Sequence, residues 1–254
     1  VLFWYKSILS DTMRLATGHD GPQYPHGGHT MLRNLLAFFA LFSLVGPLAA
    51  HFVLIVPEEK DATKVRIILS DSLKIDGRIN VARVVATKLF AFDTAGKATP
   101  LPIALDTGNN AATAEPGSAV LIGGTCEYGV VQRGESGGIR ISHHPKYIVG
   151  DPSTTHPSLA DRVPVEIVAR IDGGKVRFQA MGDGRPLGKT PMTLLIPGST
   201  DPVRVITDER GLTPTYDKRG RWGVHFLRST KVTSEFQGRQ YEELREYATL
   251  VIKW

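Results

Sequence analysis

From Phe52 onward, apolar residues recur in short runs that either alternate with polar ones or crowd into β-branched stretches. The runs FVLIVP, KVRIIL, RINVARVVATKLFAF, SAVLIGG, YGVVQ and GIRISHH are separated by clusters of Gly, Pro, Asn and Asp. A period of two over four to eight residues, bounded by turn formers, predicts strands. The stretch VGDPSTTHPSLADRVP has no apolar period and is rich in Pro, Ser and Thr, so it reads as a linker. Beyond it come VEIVARI, KVRFQAM, MTLLIP, VRVITD, WGVHFL and EYATLVIKW. IDGGKV places Asp172-Gly173-Gly174 where a tight hairpin needs residues tolerant of positive φ. The one helix candidate, QYEELREY, leads directly into the last strand pattern. The expectation is an all-β fold of two Ig-like or transthyretin-like β-sandwich domains, residues 51–149 and 163–254, joined by a linker at 150–162.

The pattern changes character before His51. Met31-Leu32-Arg33-Asn34 supplies a start and a positive charge, Leu35 to Val45 an apolar core, and Gly46-Pro47-Leu48-Ala49-Ala50 a turn followed by small residues. That order is the one found in secretory signal peptides. The apolar run is shorter than the roughly 20 residues a membrane-spanning helix needs. Residues 31–50 are therefore expected to be a signal peptide cleaved after Ala50, giving an exported, periplasmic or cell-envelope protein with no transmembrane segment after cleavage. Residues 1–30 begin with Val and show no sustained period, which suits a misread start upstream of the true one. Their histidines, His19, His26 and His29, are left out of any site.

The chain has 254 residues and a formal net charge of +5. Its charges are interspersed, with no Lys/Arg-rich block and no stacking motif, so nucleic acid is not expected as a partner. The single cysteine, Cys126, has no intramolecular partner and reads as a small buried hydrophobe or a free thiol.

Two stretches carry resemblances. Residues 184–226, GRPLGKTPMTLLIPGSTDPVRVITDERGLTPTYDKRGRWGVHF, resemble the transthyretin-like or carboxypeptidase-regulatory-like sandwiches appended to many exported proteins. In that reading Asp208 and Gly211 form a turn, and Trp222, Val224 and Phe226 share one face. The wider order AHFVLIVPEE, VVQRGES, HHPKYI, TDERG, GRWGV and QYEELREYATL resembles an exported family of unknown function once described as a nickel-transport-complex subunit. That resemblance covers His51 to Trp254. It implies a periplasmic β protein, with nickel or cobalt uptake as the associated process and a membrane metal-transport complex as partner. It carries no ligand or catalytic set onto particular residues.

Chemistry-bearing motifs are few. GESGG, Gly134 to Gly138, fits the G-x-S-x-G pattern, but a nucleophile elbow needs a helix after the serine and IRISHH alternates like a strand. Ser136 is therefore expected in a Gly-rich turn, and no catalytic residue is assigned. If the chain is cleaved after Ala50, His51 offers an α-amine and an imidazole, and one more imidazole would complete a site for nickel, cobalt or copper. The candidate metal ligands are His51, His143, His144 and His225. Alternation sets His143 with the isoleucines and His144 on the opposite, more exposed side, while His225 lies opposite the Trp222 face. His156, in the linker, is left out. Three functions follow: a metal-uptake accessory, a non-catalytic envelope module binding carbohydrate or protein, and a copper enzyme with an N-terminal histidine brace. A protein without catalysis is the expectation among them.

Overall fold

The computed structural model describes residues 51–77, 80–133, 136–153, 158–159 and 162–254, apart from the side chains at 81, 133 and 136. The expectations for residues 1–50 and for His156 lie outside the described residues. The first half supplies β1 (Phe52–Pro57), β2 (Val65–Ser70), β3 (Thr87–Phe92), β4 (Ala98–Leu101), β5 (Ala104–Asp106), β6 (Ala111–Ala114), β7 (Leu121–Arg133) and β8 (Ser136–Ile148). The second supplies β9 (Val165–Asp172), β10 (Lys175–Gly182), β11 (Arg185–Pro186), β12 (Pro191–Leu195), β13 (Val203–Ile206), β14 (Arg221–Phe236) and β15 (Arg239–Lys253). The fold is all-β. Among the described residues the only helical pieces are short 3₁₀ turns at Val81–Val84 and Thr107–Asn109, and no helix is long and apolar enough to cross a membrane.

The strands form a sheet of eight in the order β13-β12-β14-β15-β8-β7-β3-β4, one of four in the order β1-β2-β6-β5, and one of three in the order β11-β10-β9. Both faces of the large sheet are covered. Along β15, Tyr247 and Val251 pack into a core with β1, β2 and β6, while Ala248, Leu250 and Ile252 pack into a second core with β9 and β10. Successive side chains of a strand point to opposite faces, so these two cores lie on opposite sides of the sheet. On β14, Trp222, Val224 and Phe226 all enter the second core, the face expected for them. Thr249 on the other face donates its hydroxyl to the Val53 carbonyl, 2.7 Å away, and ties β1 down.

This arrangement corrects the expectation of two sandwiches in series. The eight-stranded sheet takes four strands from before residue 150 and four from after residue 162, and the described residues fall in one compact unit. The seam is the parallel pairing of β15 with β8, running from Glu243↔Ile139 to Val251↔Tyr147. A parallel pair needs a long crossover, and the whole chain from Val149 to Gly238 provides it. QYEELREY is part of β15, paired on both sides, rather than helix. The RINVARVV run is not all strand either. Asn80 accepts a hydrogen bond from the Ala82 amide at 2.9 Å and starts a 3₁₀ turn.

Local turns follow their residues. Gly173 and Gly174 have φ of 54° and 72° and close the β9–β10 hairpin, with Asp172 paired to Lys175. Asp208 Oδ1 accepts from the amides of Arg210 at 2.8 Å and Leu212 at 2.9 Å, forming the expected TDERG turn.

Candidate functional site

The four histidines are held by two strands and one strand approach, and the sheet keeps them apart. His143 and His144 are consecutive in β8, so their side chains enter opposite cores, and each is only 2% exposed. The greater exposure expected for His144 is not found. That expectation assumed one solvent face, and a sheet covered on both sides has none. His144 Nδ1 lies 3.1 Å from the Thr125 hydroxyl and Nε2 lies 3.2 Å from the Ser142 hydroxyl, so both ring nitrogens are satisfied. His143 instead stacks on Tyr247 at 5.0 Å and meets the edge of Tyr128 at 5.9 Å. Its Nδ1 has no hydrogen-bond partner among the described residues.

His225 shares the His143 face but stands two strands away, with β15 between them. Two strand spacings separate their backbones by about 9–10 Å. The Phe52 ring stacks on the face of His225, with centroids 3.7 Å apart. Burial pulls His143 down to about 3. It pulls His144 and His225 down to about 4, with Arg228 and Arg204 adding to the effect. All three are neutral rings, His143 and His144 buried on opposite sides of the sheet and His225 half-buried. His51, half-buried just ahead of β1, places Nε2 3.2 Å from Asp76 Oδ2. Among the described residues no group of three or more His, Cys, Asp or Glu side chains is placed to hold a metal ion. The set His51, His143, His144 and His225 does not converge.

Ser136, expected in a Gly-rich turn, opens β8 instead. Arg133 at the end of β7 pairs with Ser136 at the start of β8, and Ser136–Ile148 is strand rather than the helix of a nucleophile elbow. Cys126 is fully buried opposite His143, and burial raises its thiol above its ordinary value.

Two features escaped the sequence reading. The first is a buried ion pair: Lys146 Nζ donates to Glu166 Oε2 at 2.9 Å and to the Ile167 carbonyl at 3.1 Å. Glu166 also accepts from the Ser158 hydroxyl and, at 2.9 Å, from the Leu159 amide. It fastens the segment after β8 against β9.

The second is a recess on the second-core face of the large sheet, with a volume of about 150 Å³. Alternation along β3 turns Lys88, Phe90 and Phe92 to this face. In the β3–β7 register Lys88 lies opposite Thr125, Phe90 opposite Gly123 and Phe92 opposite Leu121. The missing side chain at Gly123 makes room for Leu159, which packs over the sheet there. A Cβ at Gly123 would stand 2.7 Å from the Leu159 methyls. Leu159 and Val163 form the other wall. Arg162 closes the rim with its guanidinium 5.7 Å from the Phe90 ring centre and 5.5 Å from that of Phe92, within cation–π range. Thr125 supplies a hydroxyl that is already tied to His144. KLFAF announces the aromatic face in the sequence. Arg162 comes from a stretch without period and could not be placed beside it. No protein-family model and no curated protein matches this chain.

Proposed function

We propose that this chain is a non-catalytic, exported binding module of the cell envelope, and that its ligand sits in the recess between β3, β7 and the residues Leu159, Arg162 and Val163. The observation that carries the reading is the recess itself. It is concave and mostly apolar, with a few polar groups at its rim, which is the usual form of a small-ligand site. The histidines, by contrast, are taken up in packing and hydrogen bonds. Amide signals of the purified protein, followed by NMR against a panel of anionic, neutral and sugar fragments, test it. At least one fragment is expected to move Gly123, Gly124 and Thr125 in a saturable way. A panel that leaves all three unmoved would overturn the reading.

Metal handling, with a membrane metal-transport complex as partner, is the second reading, and His51 favours it. A carboxylate on one imidazole nitrogen fixes the orientation of a ligand ring, and here Asp76 Oδ2 lies 3.2 Å from Nε2. Nδ1 and, after cleavage at Ala50, the α-amine would then form a small chelate for nickel, cobalt or copper. Protein starting at His51 is expected to bind nickel or copper at least about tenfold more tightly than a Met-extended form, whose amide lacks the donor. Equal affinities would sink this reading.

A further inference from the structure

We propose that the ligand of the β3–β7 recess is a free carboxylic acid carried on a body the size of one aromatic ring. This rests on the binding-module reading and adds the ligand's chemistry.

Size comes first. An apolar protein cavity of about 150 Å³ takes up a benzene molecule, and the recess has that volume. Phe90, Phe92, Leu159 and Val163 line the recess and offer a flat body apolar contact. A longer acyl chain or a peptide has no room.

Charge comes second. Lys88 and Arg162 both line the recess, and neither has a carboxylate within ion-pair distance among the described residues. Stacking over two phenyl rings holds the Arg162 guanidinium at the mouth, and its planar fork suits a carboxylate bidentately. Lys88 supplies a second positive charge on the same rim.

Other ligand classes fit less well. Phosphate would leave the phenyl walls facing water. A sugar presents many hydroxyls, and the recess offers two cations and one hydroxyl that is already engaged. A metal ion would meet no carboxylate, thiol or imidazole in the lining.

Benzoate, benzamide and inorganic phosphate, titrated separately into the purified protein and followed at the Gly123, Gly124 and Thr125 amides, test the proposal. Benzoate is expected to shift these signals to saturation. Benzamide, the same shape without the charge, is expected to bind at least about tenfold more weakly, as for loss of a charge-assisted hydrogen bond. Phosphate should leave them unmoved. Arg162→Gln and Lys88→Gln alter exposed side chains, so the remaining spectrum should persist while benzoate affinity falls about tenfold in each. Benzoate binding no tighter than benzamide, or binding indifferent to both substitutions, overturns the proposal. If benzoate leaves the three amides unmoved while another fragment of the wider panel shifts them, the ligand class is wrong and the binding-module reading stands. If nothing shifts them, both fall.

Discussion

At Lys146 the chain places an ammonium group 1% exposed inside the protein, against a carboxylate 5% exposed. Burial alone would push the Glu166 carboxyl up, but Lys146 and the donors at Ser158 and Leu159 bring it below its usual range. Such a pair gains little over a well-packed apolar pair, yet removing one partner strands the other. Lys146→Met is therefore expected to cost about 3–5 kcal/mol, read from the shift of a urea midpoint at constant slope. Combining it with Glu166→Gln should recover part of that loss, because the amide carries no charge, its oxygen can still accept from the Leu159 amide and its NH2 can donate to the Ser158 hydroxyl. A single substitution costing under about 1 kcal/mol would mean that water reaches the pair. Neither residue was legible as a partner in the sequence. Lys146 follows HHP and Glu166 interrupts a β-branched run, and 19 residues of chain separate them.

Among the elements, legibility followed the range of the interaction that makes them. VEIVARI, the two glycines and KVRFQAM specify a hairpin through neighbours alone, and β9 and β10 form it. TDERG specifies a turn through one aspartate and the amides just after it. Alternation also assigned Trp222, Val224 and Phe226 to one face. It could not say what covers the opposite face, where His225 is half-buried with the Phe52 ring stacked on it. The parallel pairing of β15 with β8 is a contact across about a hundred residues, and a period of two contains no information about partners. A trace of it was present in YATLVI, where Thr249 alone interrupts an otherwise apolar run. Near-continuous apolar character is what a strand buried on both faces requires. The glutamates of QYEELREY have good helix propensity, but pairing on both sides of β15 overrides it.

The whole molecule carries the cost of covering its central sheet on both sides, because imidazoles on that sheet are sealed in neutral form. His143 faces Tyr128 and Tyr247 with Cys126 opposite it, His144 faces Thr125, Ser142 and the charge of Arg228, and His225 faces Phe52 and Arg204. An unfolded chain protonates these rings near pH 6.5, whereas the folded protein holds them neutral down to about 3 for His143 and about 4 for the other two. Between those values the unfolded state binds more protons, so stability rises with pH and is lost as pH falls. The contribution is intact above pH 6.5 and drains away between there and about pH 4. Each fully neutral ring adds up to ~1.4 kcal/mol per pH unit to the slope, so three together set a limit of ~4 kcal/mol per pH unit. Below pH 4.5 a second loss begins with the same sign. Arg245 and Ser229 hold the Glu243 carboxyl at about 2, and its protonation removes their contacts. Urea unfolding at pH 7, 6 and 5 should show midpoints falling steeply, with the steepest part below pH 6.5 rather than below 4.5. His143→Phe should flatten that limb by about one third, since it removes one of the three proton sites and keeps the stacking on Tyr247. Midpoints that stay level between pH 7 and 5 would mean that the rings take up protons in the folded state, and the sealed central sheet would then have to be open to water.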